Sequence, residues 1–160
     1  MTERREHSYG CWPSSLTAEG VNLDSGEVNF LRADSNGVCF VNSVNGEKDK
    51  QAVWHLSSQG ELNQLSPIRF NVRSRVHEYG GVPYCVHDNI LWFCNLADQA
   101  IYTQELSVDR KPLPADLAEA KAFTPVEPSI AGKLRYADFL IDPNFNRLIG
   151  VREDHRLSEP

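Results

Sequence analysis

The chain has 160 residues, room for one domain with a sizeable core, and 41% of them are hydrophobic. Its 16 basic and 22 acidic residues leave a net charge of −6 with no long run of either sign, which argues against nucleic acid or an anionic membrane as a partner. No apolar run approaches the ~20 residues of a membrane span, and the polar stretch Met1 to Gly10 lacks the apolar follow-on of a secretory signal, so a soluble, cytoplasmic protein is expected.

Met1 to Ala18 is a polar lead-in without clear period. From Val28 the pattern becomes strand, turn, strand. Val28 to Arg32 reads as a strand, and Asp34-Ser35-Asn36-Gly37 reads as a tight turn, because Asn-Gly tolerates the positive φ of short hairpins. Val38 to Val41 follows, then a charged loop from Asn45 to Lys50, the strand Ala52 to Leu56, a turn at Ser58-Gln59-Gly60, and the strand Glu61 to Leu65, closed by Ser66-Pro67. After a connection from Ile68 to Gly81 the same order begins again. Strands are expected over Val82 to Val86, Ile90 to Cys94 and Ala100 to Leu106, with a turn at His87-Asp88-Asn89. Asp109 to Lys121 interrupts, with one or two helical turns over Ala115 to Ala120, before Ala122-Phe123-Thr124-Pro125 closes the unit. A third start at Leu134 turns at Asp142-Pro143-Asn144 and reaches Val151.

These units repeat. Gln51-Ala52-Val53-Trp54 returns as Gln99-Ala100-Ile101-Tyr102, and Val38-Cys39-Phe40-Val41-Asn42 as Leu91-Trp92-Phe93-Cys94-Asn95. A period of roughly 40–50 residues built from short strands is the signature of β-propeller blades. A closed ring takes about 4–8 blades. The expectation is therefore an all-β, partial propeller of two to three four-stranded antiparallel blades: residues 26–67, 82–125 and an incomplete 134–160. No long segment has the 3.6-residue apolar period of a helical fold.

The words of the sequence resemble the bacterial prolyl oligopeptidase family, in its branch of acylaminoacyl-peptidase-like and dipeptidyl-peptidase-like enzymes. Phe70-Asn71-Val72-Arg73-Ser74-Arg75-Val76-His77-Glu78-Tyr79-Gly80-Gly81 carries the resemblance most specifically. Tyr9-Gly10 with Trp12-Pro13-Ser14 and Thr17-Ala18, Asn95 with Asp98-Gln99, Arg135-Tyr136-Ala137-Asp138 and Val151-Arg152-Glu153-Asp154-His155 add to it in the right order. The resemblance implies an N-terminal propeller that caps a C-terminal α/β-hydrolase domain and restricts entry to short peptides, the hydrolase domain supplying the serine, aspartate and histidine. Two positions depart from the pattern: Val82 stands where a third glycine is usual, and Ser15 where proline is common.

No catalytic group is expected in this chain. A hydrolase of that kind needs Gly-x-Ser-x-Gly on a strand-to-helix turn. The nearest approach, Ala33-Asp34-Ser35-Asn36-Gly37, lacks the first glycine and lies between two strands. The histidines His7, His55, His77, His87 and His155 read as surface or hydrogen-bonded residues, and no ligand spacing calls for a metal or other cofactor. Cys11, Cys39, Cys85 and Cys94 form no Cys-x-x-Cys pair, and Cys39, Cys85 and Cys94, inside apolar strands, read as buried free thiols; a Cys85–Cys94 bridge suits a hairpin, but a reducing cytoplasm opposes it.

A weak substrate-binding group is Arg73, Arg75, His77, Glu78 and Tyr79, with Arg152 and Glu153. Connections carry function more often than cores do, and arginine forks suit a peptide carboxylate. The competing view pairs Arg75 with Glu78 inside the fold, while Gly80-Gly81 lets the backbone turn and pack closely. Three functions follow: a gating fragment of a serine peptidase, with short peptides and the missing hydrolase domain as partners; a stand-alone binding or scaffold module that self-associates or borrows blades; and a small calcium-dependent enzyme such as a lactonase, with Asp98, Asp138 and Asp142 as ligands.

Overall fold

The computed structural model describes residues 8–9, 28–44, 47–114 and 119–156. Most of the polar lead-in, with His7 and Cys11, and residues 115–118 of the expected helical turns lie outside the described residues.

The first sheet holds β1 (Asn29–Asp34), β2 (Gly37–Val44), β3 (Glu47–Ser57) and β4 (Leu62–Gln64), antiparallel and in chain order. Ser35 and Asn36 make the β1–β2 turn, and Asn36 N–H donates to Asp34 Oδ1 at 2.8 Å. Gly37 cannot be replaced there without movement, because a Cβ would stand 2.2 Å from the Leu56 carbonyl oxygen and φ is +147°. The charged run expected as a loop is already strand from Glu47 onward. Backbone pairing with β2 decides this, and Lys50 and Glu47 pair at 3.2 Å along the strand. Charge in that segment marks side chains left in solvent, not a break in the ladder.

The second sheet repeats the order with β5 (Tyr84–His87), β6 (Ile90–Cys94), β7 (Ile101–Glu105) and the two-residue β8 (Lys121–Ala122). Asp88 and Asn89, with φ of 42° and 60°, form the mirror-image turn that matches strand twist. β5 starts later than the apolar run suggests. Val82 bonds sideways to the third sheet instead, its carbonyl accepting from Asp138 N–H at 2.8 Å and its N–H donating to Asp138 Oδ1 at 2.9 Å. That sheet has two strands, β9 (Leu134–Asp142) and β10 (Arg147–Asp154).

The sequence repeat has a bonding counterpart. Val53 N–H donates to Ser66 Oγ at 3.0 Å and Leu65 N–H to Val53 O at 2.8 Å. One unit on, Ile101 N–H donates to Thr124 Oγ1 at 2.8 Å and Phe123 N–H to Ile101 O at 2.8 Å. A hydroxyl residue before proline thus caps the third strand of each unit, where the fourth strand has ended and the buried N–H still needs an acceptor.

The first strands of the three sheets converge. The Tyr84 hydroxyl on β5 donates to the Phe30 carbonyl of β1 at 2.7 Å, and β5 also lies against β9. The sheets fan out from this line with side chains packed face to face between them. The described residues therefore form an all-β, partial propeller with no closed ring, as the strand pattern predicts.

Candidate functional site

The connection from the first sheet to the second crosses one end of the fan, where the β6–β7 turn, the start of β9 and the end of β10 gather. It is extended, and burial alternates along it. Phe70, Val72, Ser74 and Val76 point inward, so Arg73 and Arg75 face solvent. Both backbones are held from below by Gln99, which is fully buried. Arg75 N–H donates to Gln99 Oε1 at 2.7 Å, and Gln99 Nε2 donates to the Arg73 carbonyl at 3.3 Å and to the Leu96 carbonyl at 3.1 Å. Arg73 N–H reaches the Cys94 carbonyl at 3.1 Å.

The chain then turns sharply. His77, Glu78 and Gly80 have φ of 58°, 62° and 88°. The left-handed region costs roughly 1–2 kcal/mol for each non-glycine residue, so the turn needs outside support. The third sheet provides it. Glu153 Oε1 accepts from His77 N–H at 2.8 Å and stands 3.2 Å from His77 Nδ1. His155 Nε2 lies 3.0 Å from the other carboxylate oxygen. Arg135 donates to the Glu78 carboxylate and, at 3.1 Å, to the Arg75 carbonyl. Gly81 packs so closely on β9 that a Cβ would meet the Ala137 Cβ at 2.8 Å.

The partners explain the electrostatics. The hydrogen bond from Arg135, and then its charge, hold the Glu78 carboxyl below its usual range. Glu153 is lowered first by its bond to His155 and then by the His77 N–H. The expected Arg75–Glu78 pair does not form, because Arg135 takes Glu78 from the neighbouring sheet. Of the expected group, Arg73, Arg75, His77, Glu78, Tyr79 and Glu153 come together at this end. Arg152 points to the other side of β10, beside Tyr136 and Asp154. Sequence reasoning gave Gln99 and Arg135 no role at this end, and read His155 as a surface or hydrogen-bonded histidine, which its bond to Glu153 bears out. The recurrence of Gln51 as Gln99 in the repeat and the place of Arg135 in the Arg135-Tyr136-Ala137-Asp138 word were the available signals.

The opposite end of the fan holds a second polar cluster. Arg110 donates to Asp34 Oδ2 at 3.0 Å and to Asn89 Oδ1 at 3.3 Å, tying the turns of the first two sheets together. His55 is buried beside them in one cross-strand row with Cys39 and Asn63, and neither of its ring nitrogens has a hydrogen-bond partner among the described residues. It is thus not a surface histidine, and the Asn36 backbone is a polar group that faces it. Burial holds it below the usual imidazole range and pushes the Cys39 thiol up to about 11, which leaves that sulfur a poor nucleophile. Cys39, Cys85 and Cys94 are free and buried. Asp98 is engaged by Tyr102 and Asn95, Asp138 by Val82 and Asp142 by Arg147. Among the described residues, no three His, Cys, Asp or Glu side chains gather as metal ligands would. No helix among them is long and apolar enough to cross a membrane.

This architecture recurs in solved structures. A puromycin-hydrolyzing peptidase of Mycobacterium tuberculosis superposes with a TM-score of 0.69 at 26% identity, covering 93% of this chain and 22% of its own. A puromycin hydrolase matches with a TM-score of 0.64 at 27% identity over 89% of this chain and 21% of its own. The chain fits an N-terminal propeller portion of a prolyl oligopeptidase family peptidase. It spans about a fifth of the length of these proteins, at 22% and 21%. A mutant of the second, complexed with PGG, matches over the same share. No family model matches the chain, and no curated protein matches it by sequence.

Proposed function

We propose that this chain is the substrate-gating propeller portion of a cytoplasmic serine peptidase that hydrolyses short peptides, with the catalytic serine, aspartate and histidine on a C-terminal α/β-hydrolase domain outside it. The observation that carries this reading is the match of 93% of the chain to only 22% of a peptidase. The chemistry agrees. The sequence holds no Gly-x-Ser-x-Gly, and the buried thiols and the unpartnered His55 make no nucleophile–base pair. Under this reading the blades limit access by size, and the converging first strands mark the passage. Puromycin, named for the solved relatives, is the first substrate to try on the longer protein.

The test has two parts. Reading the gene through and beyond codon 160 is expected to show an open frame running into a Gly-x-Ser-x-Gly region. The purified chain alone is expected to give no labelling by a fluorophosphonate probe and no hydrolysis of puromycin or chromogenic peptides. Labelling that survives repurification would show a nucleophile in these blades and end the gating assignment.

A second reading, a module that completes its ring by self-association or with a partner, draws on the open faces of the fan. Leu31 on β1 is 65% exposed and Leu140 on β9 is 59% exposed, and β10 has no second neighbour among the described strands. Open sheet edges invite pairing. Analytical ultracentrifugation over a hundredfold concentration range decides it: a strict monomer throughout counts against the module.

A further inference from the structure

We propose that Arg73 and Arg75 form a carboxylate-binding ridge for short acidic peptides; the proposal rests on the gating reading and names the substrate class that this end of the fan admits. Side chains two apart on an extended segment project to one side about 7 Å from each other. That spacing matches two carboxylates two residues apart on an extended peptide, or a terminal carboxylate with an acidic side chain near it. The ridge is preorganised. The N–H and the carbonyl of both arginines are bonded, to Cys94, Gln99 and Arg135, so binding orders only the side chains.

The guanidinium groups are also open. Arg69, Arg110, Arg135, Arg147 and Arg156 each meet a carboxylate, whereas Arg73 and Arg75, like Arg32 and Arg152 elsewhere, do not among the described residues. Acids do stand on this face, but Glu78 is held by Arg135 and Glu153 by His77 and His155. The neighbouring sheet thus consumes the negative charge that would otherwise neutralise the ridge. Tyr79, four residues after Arg75 and past the turn, is also fully exposed. The chain as a whole carries −6, so an acidic peptide gains nothing from general attraction and must find the forks themselves.

The experiment measures fluorescence anisotropy of a labelled tetrapeptide, with glutamates at its second and fourth positions, titrated with the chain. Comparison peptides carry a C-terminal amide or glutamine in place of glutamate. Arg73→Gln and Arg75→Gln are expected to weaken binding roughly fivefold each, and the double variant by tenfold or more. Arg75→Lys, which keeps the charge without the fork, is expected to fall between. Arg147→Gln, at the far end of β10, is expected to change nothing. Loss on amidation assigns the terminal carboxylate to the ridge, loss on glutamine substitution assigns the side chains, and either supports the proposal. Equal binding by the double variant, equal binding of the uncharged peptide, or no binding at millimolar chain overturns it. Hydrolysis is not read, so failure here leaves the gating assignment standing, whereas labelling of a serine in the chain would end that assignment and the ridge's part in admission while leaving any measured binding in place.

Discussion

The two junctions in the fan are built differently. Between the first and second sheets lies a broad apolar core in which Val41, Val53, Leu65, Phe93 and Val72 are fully buried. Phe70 packs edge-on against Phe93, ring centroids 5.1 Å apart, and at a tilt against Tyr102, centroids 4.6 Å apart. Between the second and third sheets the apolar cluster is smaller, with Cys85, Cys94, Ile101 and Phe139 buried in it, and the work passes to Arg135, Glu78, His77 and Glu153 at one end and to the Val82–Asp138 bonds in the middle. Burying an aromatic side chain is worth about 1.5–3 kcal/mol, while a partly exposed ion pair is worth about 0–1. The first junction therefore holds by area and the second by bonded groups, and the second is the one that added salt is expected to loosen.

The largest effect is expected at the aromatic centre. Phe93→Ala removes the ring that Phe70 and Tyr102 pack on, and a buried phenylalanine truncation costs about 3–5 kcal/mol. Urea denaturation is expected to show all strands lost together at a much lower midpoint. Phe139→Ala, at the second junction, is expected to release β9 and β10 first. Hydrogen exchange would then show fast amides over residues 134–154 and slow ones over β2, β3 and β6. Simultaneous loss of protection in all three sheets would show that the junctions are not independent.

Gln99→Ala is next. It leaves the Arg75 N–H and the Arg73 carbonyl without their buried partner, at a cost of about 1–3 kcal/mol. The connector lies over the second sheet, so its amides at 73–76 are expected to exchange faster while the first sheet's stay protected. Salt gives a smaller contrast. At 1 M the Debye length falls to about 3 Å, which weakens the exposed pairs of the second junction. Protection of β10 is expected to drop with added chloride, and Glu153→Gln is expected to remove most of that dependence. An unchanged β10 in salt would mean that the Val82–Asp138 bonds hold the junction alone.

The strands were legible because pattern and turn chemistry agree. Asp88-Asn89 closes a hairpin for a backbone reason that can be read locally, whereas the first turn is made by Ser35 and Asn36 without positive φ and the unusual φ falls on Gly37, already in β2. The repeat was legible too, since Ser66 and Thr124 do the same bonding job. The late start of β5 was not, because Val82 is apolar in either role and only the position of Asp138, 56 residues on, diverts it. The connector's charges were visible, but their pairing was not. Which carboxylate an arginine meets depends on the neighbouring sheet, and that left Arg75 open and gave Glu78 to Arg135. His55 misled for a related reason. Its alternation with Trp54 marks a strand but not which face the next sheet covers.

The smallest effect separates the junctions by pH. His55 sits in the first junction, facing Asp34, Arg110, Cys39, Asn63 and the Asn36 backbone, and burial, outweighing the opposing pull of Asp34 and Asn36, lowers its pKa from 6.5. The unfolded chain then binds a proton that the folded chain refuses, so stability is full above pH 6.5 and falls as the pH drops from there toward the lowered folded value. Glu78 and Glu153 in the second junction are lowered from 4.5, so their contribution persists to that pH and is lost only below it. Between pH 4.5 and 6.5 the apolar junction should thus carry a titration that the carboxylates of the polar one do not share. His55→Phe replaces an unpartnered ring with one that needs no partner, and is expected to be neutral or stabilising at pH 7. It is expected to flatten the urea midpoint over that window and leave the steeper loss below it in place. A variant whose midpoint still falls between pH 6.5 and 4.5 with the original slope would place the proton uptake elsewhere than His55.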